Sequence, residues 1–121
     1  MAEHIELGKR GEEIAAAFLK NKGYKIRETN WTSNRYEVDL IAEDNGILVI
    51  AEVKTRTSNV VAEPEASVTR EKQRHLIAAA NAYIRWKRLK METRFDILSV
   101  IITDESSQVV HIPDAFYAMV R

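Results

Sequence analysis

The pair Asn45-Gly46, set between two apolar runs, constrains the fold of this chain more than any other feature. Both central positions of a type I′ turn need positive φ, which Asn and Gly accept at little cost. A two-residue turn here joins strands 35–44 and 47–55 as a hairpin and fixes their register. Asp44 then lies opposite Ile47, Asp39 opposite Glu52, and Glu37 opposite Lys54. Strand side chains alternate between faces, so these four charged groups project from the same side of the sheet. Directly opposed Cβ atoms stand roughly 4.5–5.5 Å apart. Two carboxylates at that spacing repel unless one holds a proton or a cation lies between them.

The neighbours sharpen the point. Leu48-Val49-Ile50-Ala51 precede Glu52, and Leu40-Ile41 follow Asp39. Continuous apolar runs belong to strands buried on both faces. A charge at the end of such a strand costs free energy unless it is paired or binds metal. Glu52-Val53-Lys54 is weak as an isolated triplet. A salt-bridged strand end, with Lys54 neutralising Glu37 or Glu52, is the plainer alternative.

Around the hairpin the chain reads as α-β-β-β-α-β-β. Residues 5–22 form a helix with Leu7, Gly11, Ile14, Ala15 and Phe18 along one stripe, stopped by Gly23. Residues 24–31 are a first strand. Residues 57–68 form a loop broken by Pro64. Thr69 caps a helix running to about Leu89, its stripe made by Leu76, Ile77, Ala80, Tyr83 and Ile84. Residues 94–103 and 108–112 are strand-like, and Pro113 to Phe116 suggests one closing helical turn. This order predicts an α/β domain with a central mixed β-sheet and a helix on each face. At 121 residues, one domain spanning 1–121 is expected.

Phosphodiester hydrolysis needs an activated water and relief for charge on the leaving oxygen. A Mg²⁺ or Mn²⁺ ion held by hard oxygen ligands supplies both. Asp39, Glu52 and the main-chain carbonyl of Val53 are the candidate ligands, with Lys54 placed to orient the water or steady the phosphoryl charge. Glu12 is a fourth catalytic candidate, since it shares a helix face with Ala15, Ala16 and Leu19 beside the apolar stripe. An ordinary surface glutamate is an even alternative there. Glu13 sits with Lys9, Arg10 and Ala17 and reads as solvated. Glu37 is a secondary acidic candidate.

Formal net charge is zero, but it is unevenly spread. Residues 67–94 hold eight Lys/Arg against Glu71 and Glu92, and residues 1–66 hold nine bases against twelve acids. A basic segment beside an acidic one suits a polyanion bound over a metal site, although a solvated helix face would show the same pattern. No cysteine is present, so disulfides and thiolate metal sites are excluded. No apolar run approaches a membrane span, and no signal core opens the chain, so a cytoplasmic protein with no membrane association is expected. His4, His75 and His111 are scattered, which argues against zinc. Trp31, Tyr36 and Trp86 could stack on bases, with core or surface packing the simpler role for each. No phosphate-cradling Gly-rich loop or nucleophilic serine signature occurs.

Several strings taken together resemble a known family. They are Gly8-Lys9-Arg10-Gly11-Glu12, Gly23-Tyr24, Glu37-Val38-Asp39-Leu40-Ile41-Ala42, Glu52-Val53-Lys54-Thr55-Arg56, Glu65-Ala66, Val68-Thr69 with Lys72, Arg94-Phe95-Asp96, His111-Ile112 and Ala115-Phe116. In this order they look like the YraN-type family of uncharacterised bacterial proteins, over nearly the whole chain. That family is assigned to the PD-(D/E)xK, restriction-endonuclease-like fold and is similar to archaeal Holliday-junction resolvases. The resemblance implies that Asp39, Glu52 and Lys54 fill the metal-and-water positions and that Glu12 is the helix acid beside them. It further implies that Thr55, Arg56, Thr69 and Lys72 face a nucleic-acid substrate, and Arg70 and Arg74 add positive charge next to them. Family members usually carry Gly before the Glu-x-Asp string, where this chain has Tyr36, and that substitution would reshape the substrate cleft.

Three functions compete. The first is a metal-dependent endonuclease acting on DNA, with branched, damaged or single-stranded DNA as candidate substrates. The second is a catalytically silent nucleic-acid-binding module that keeps the fold. The third is a protein-interaction domain, with a homodimer as one form, in which the charged strand ends are salt bridges. Fold alone does not choose among them.

Overall fold

The computed structural model describes residues 2–57 and 68–117. Its elements are α1 (Ala2–Asn21), β1 (Lys25–Ser33), β2 (Tyr36–Asp44), β3 (Ile47–Arg56), α2 (Arg70–Lys87), β4 (Thr93–Ile102) and β5 (Ser107–Phe116). The strands form one sheet in chain order, antiparallel except for the β3–β4 pair. A parallel pair needs a crossover connection, and α2 lies in it. This is the α/β arrangement, a central mixed sheet flanked by helices, that the restriction-endonuclease-like resemblance implies.

The hairpin forms as its turn chemistry requires. Asn45 and Gly46 have φ of 51° and 83°, and the ladder runs from Asp44↔Ile47 to Leu40↔Ala51. Leu48, Val49, Ile50 and Ala51 are all fully buried, because β3 is the middle strand and is covered on both faces. On one face α1 sets Ala15 and Leu19 against Leu40, Ala42, Val49, Ala51, Leu98 and Val100. On the other, α2 sets Leu76, Ala79, Ala80 and Tyr83 against Ile41, Leu48, Ile50, Phe95 and Ile97.

Local signals explain the ends. Gly23, at φ 96°, closes α1, with its amide donating to the Lys20 carbonyl and the Tyr24 amide to that of Leu19. Thr69 caps α2, its hydroxyl accepting from the Lys72 amide at 3.1 Å. Gly11 lets α1 sit directly on β3, since a Cβ built there would fall 2.8 Å from the Thr55 Cβ.

Two expectations are corrected. Pro113 to Phe116 is not a helical turn but the end of β5, which continues to Phe116 and pairs it with Phe95. The run is broken by Asp114 at φ 55°, beside a register shift between Phe95 and Ile97, and that irregularity is what Pro113 marks. The expected oppositions of Asp39 with Glu52 and of Glu37 with Lys54 are also absent from the ladder, which ends at Leu40↔Ala51; Glu37 pairs with Thr32 of β1 and is exposed. The expected loop around Pro64 lies outside the described residues, except at its two ends.

Candidate functional site

The β2–β3 ladder ends where the acidic residues begin. Val38 packs in the α2-side core and Leu40 in the α1-side core, although they are two residues apart. Strict alternation would put both on one face, so β2 is irregular at Asp39. On the neighbouring strand Asn30, between the partners of Leu40 and Val38, has φ 50°. The result is a notch between β2 and β3. The Asp39 carboxylate turns into it and accepts a hydrogen bond from the Val53 amide, Oδ2 to N 2.8 Å. A side chain thus takes a donor that a continuing ladder would give to a main-chain carbonyl. In an extended strand the carbonyl of a residue points the same way as its amide, so the Val53 oxygen faces the β2 side as well.

Glu52 is the buried member, with only 5% of its surface exposed. Lys54 Nζ lies 3.4 Å from Oε2 and Lys72 Nζ 3.8 Å from Oε1. Lys54 comes from the same strand, whereas Lys72 reaches in from the first turn of α2. Glu12 enters from α1, held close by the Gly11 contact. Its carboxyl lies near enough to Asp39 and Asn30 for both to shift its titration.

The electrostatics record the crowding. Burial pushes Glu52 up to about 7, nearby Asp39 pushes in the same direction, and Lys72 and Lys54 only partly offset them. Glu12 is raised for the same two reasons, burial first and Asp39 second. Three carboxyls therefore crowd one notch, and burial with the nearby Asp39 charge favours the protonated forms of Glu52 and Glu12. The donor set is all oxygen, of the hard kind that suits Mg²⁺ or Mn²⁺. Among the described residues, no group of three or more His, Asp or Glu side chains is already posed around a common point as metal ligands. The reason is visible: Asp39 spends Oδ2 on the Val53 amide, and two ammonium groups stand at the Glu52 oxygens.

Of the residues singled out in the sequence, Glu12, Asp39, Glu52, Val53, Lys54 and Lys72 meet here. Arg56 ends β3, half-buried, one turn of strand beyond Lys54. Thr69 is committed to capping α2. Arg70 and Arg74 are exposed and line a separate cleft of about 520 Å³ with Gln73, Ile77, Ala115, Phe116 and Tyr117. Tyr36 leans on His75, ring centroids 5.8 Å apart, and the Glu37 amide donates to His75 Nε2 at 3.4 Å. Tyr36 thus helps tie the start of β2 to α2.

Two features were not foreseen. Asn30 had no sequence signal, since its role rests on a positive φ within a strand. The other is a buried polar network toward the end of β2 and the start of β4. Asp96, 1% exposed, accepts from Arg94 through two bonds of 2.9 Å and from the Asp114 amide at 3.0 Å, and pairs with His111 Nε2 at 2.8 Å. Arg94 also donates to Asp44 and to the Tyr24 hydroxyl. Burial alone would raise Asp96, but the bonds from His111, Arg94 and Asp114 outweigh it and hold the carboxyl below its ordinary range. The quoted Arg94-Phe95-Asp96 and His111 strings carry this network, which staples β2, β4 and β5 together.

No helix among the described residues is long and apolar enough to cross a membrane. Comparison with known proteins bears on identity directly. The profile described as "Uncharacterised protein family UPF0102" matches residues 11–100. A UPF0102 protein of Flavobacterium psychrophilum is 45% identical over 117 residues, covering 97% of this chain and 98% of its own. One from Bacteroides thetaiotaomicron is 43% identical over 117 residues, covering 97% of each. One from Parabacteroides distasonis is 40% identical over 121 residues, covering the whole of both. The chain belongs to the UPF0102 family, the YraN-type group whose motifs it carries.

Proposed function

We propose that this protein is a metal-dependent nuclease that hydrolyses phosphodiester bonds in DNA, with branched or damaged DNA as the substrate class. The observation that carries the reading is the convergence of Glu12, Asp39 and Glu52 on one notch with Lys54 and Lys72 beside them. Asp39, Glu52 and the Val53 carbonyl would hold a Mg²⁺ or Mn²⁺ ion. That ion would polarise the phosphoryl oxygen and lower the pKa of a bound water. Lys54 donates from its ammonium toward the attacking water or a phosphate oxygen and adds positive charge where negative charge builds. With the Glu52 carboxylate engaged by the ion, Lys72, now 3.8 Å from it, would turn to a phosphate oxygen. Glu12, raised by burial, is suited to hold and return a proton near the reacting water. Arg56 extends positive charge from the notch, and the exposed Arg70 and Arg74 at the start of α2 would meet more distant phosphates.

Calorimetric titration with Mn²⁺ tests the site itself. The wild-type protein should bind the ion, and Asp39→Asn and Glu52→Gln should each weaken binding strongly. If wild-type and both variants bind alike, the notch is not the metal site. The paired contacts of Glu52 with Lys54 and Lys72 favour a second reading, a silent DNA-binding module whose notch is charge-balanced by lysines. Salt-dependent DNA binding that survives EDTA, with no cleavage under any metal, would select it.

A further inference from the structure

Trp86 is the most exposed aromatic ring on α2, at 61%, yet it is not loose. It stacks on the buried Trp31 of β1, with centroids 6.3 Å apart and planes 30° apart, and meets Tyr83 edge-on at 5.9 Å. Tyr83 is fixed in turn by Arg27 and Glu28. Scattered surface apolar residues need no explanation. A large ring held rigid by a buried partner and left open to solvent is a different case. Its surroundings are cationic: Arg85, Lys87, Arg88 and Lys90 are all exposed, with no acid between residues 85 and 91. Lys87 Nζ lies 4.3 Å from the ring centroid.

We propose that Trp86, with Lys87 and Arg88, is a stacking platform for an unpaired base of a single-stranded nucleic acid. A π-face fixed in place accepts any base, and flanking cations take the phosphates on either side. The flexible, exposed Lys87 side chain yields the ring face to the base and meets the next phosphate. The place is informative. Trp31 pairs with Val38, the residue before Asp39, so the platform borders the strand that carries the notch. Lys72 and Trp86 lie about 21 Å apart along α2 at 1.5 Å per residue. A strand that crosses the notch and stacks a base on Trp86 must be unpaired at the platform, which makes a single-stranded tail or junction arm the preferred partner. The inference deepens the nuclease reading, but its test does not depend on cleavage.

The probe is a fluorescein-labelled oligo-dT strand, titrated in EDTA at low salt, beside a blunt duplex of equal length. Trp86 is one of only two tryptophans, and the other is buried. Saturating oligo-dT should quench the emission of the wild-type protein. Trp86→Leu should weaken oligo-dT binding roughly tenfold, Trp86→Phe should keep most of it, and neither should alter duplex binding. Unquenched emission at saturation overturns the proposal. So does equal oligo-dT affinity in Trp86→Leu, equal loss toward duplex and single strand, or a self-association that Trp86→Leu abolishes without touching DNA binding. Stacking lost with metal-dependent cleavage intact refutes the platform alone. Stacking intact without cleavage refutes the nuclease alone.

Discussion

Replacing Glu52 with Gln should stabilise the metal-free protein, and only at the alkaline end of the range. Glu52 is buried and its carboxyl titrates near 7 instead of its ordinary 4.5, through desolvation first and Asp39 second. A carboxyl with a raised folded pKa keeps its proton in the native state. Native stability therefore falls as pH climbs from 4.5 through about 7, and the full penalty stands above that. A shift of this size corresponds to about 3 kcal/mol at ~1.4 kcal/mol per pKa unit, an order-of-magnitude ceiling. Glutamine has nearly the same shape and cannot ionise. The raised Glu12 is common to both proteins and largely cancels. Urea unfolding in EDTA should give near-equal stabilities at pH 4.5, with Glu52→Gln ahead by about 1–3 kcal/mol at pH 8. Saturating Mn²⁺ at pH 8 should close the gap, since only the wild-type keeps both acidic ligands. A stability difference that is flat with pH would refute the crowded-carboxylate account.

Other substitutions probe the parts that position the notch. Gly11→Ala should destabilise by about 1–3 kcal/mol, because its Cβ collides with Thr55 in a packed contact, and Thr55→Ala should recover part of the loss in a double-mutant cycle. Asp96→Ala should cost about 2–4 kcal/mol in urea unfolding, since the largely buried Arg94 keeps only Asp44 as a charged partner and His111 Nε2 loses its own. The depressed Asp96 carboxyl also predicts a loss of stability as pH falls below its ordinary 3.8, and that acid limb should be missing in Asp96→Asn. Lys72→Ala removes the ammonium that lowers Glu52 most, so the Glu52 titration should move further upward by carbon NMR.

Much of this architecture was legible in the chain because the signals were local. Asn45-Gly46 set the turn, the turn set the register, and the observed pairs from Asp44↔Ile47 to Leu40↔Ala51 follow it. Gly23 and Thr69 marked helix ends for reasons internal to a few residues. The register reading went too far in one direction. It assumed an ideal ladder through Asp39, whereas Asp39 breaks alternation and inserts its own carboxylate between the strands. That break brings Glu12 from one helix and Lys72 from the other into the same notch, and no strand period could have shown it. Asn30 was invisible because positive φ within a strand is a tertiary demand. The Asp96–His111 pair was invisible because its members are apart in sequence, and nothing beside His111 marks it as a buried partner. Trp86 was expected to pack. Its position at the exposed end of the α2 stripe leaves one side for Trp31 and the rest for solvent.

Cleavage of a labelled substrate panel tests the central claim most directly. Single-stranded, duplex, nicked, flapped and four-way-junction DNA, with RNA for comparison, would each be incubated with Mg²⁺, Mn²⁺ or EDTA. Wild-type protein would run beside Lys54→Ala and Asp39→Asn purified identically. The account predicts cleavage that requires metal, is lost in both variants, and favours substrates with a single-stranded arm. Cleavage that persists in both variants, or none by the wild-type protein although it binds Mn²⁺ and DNA, would contradict it.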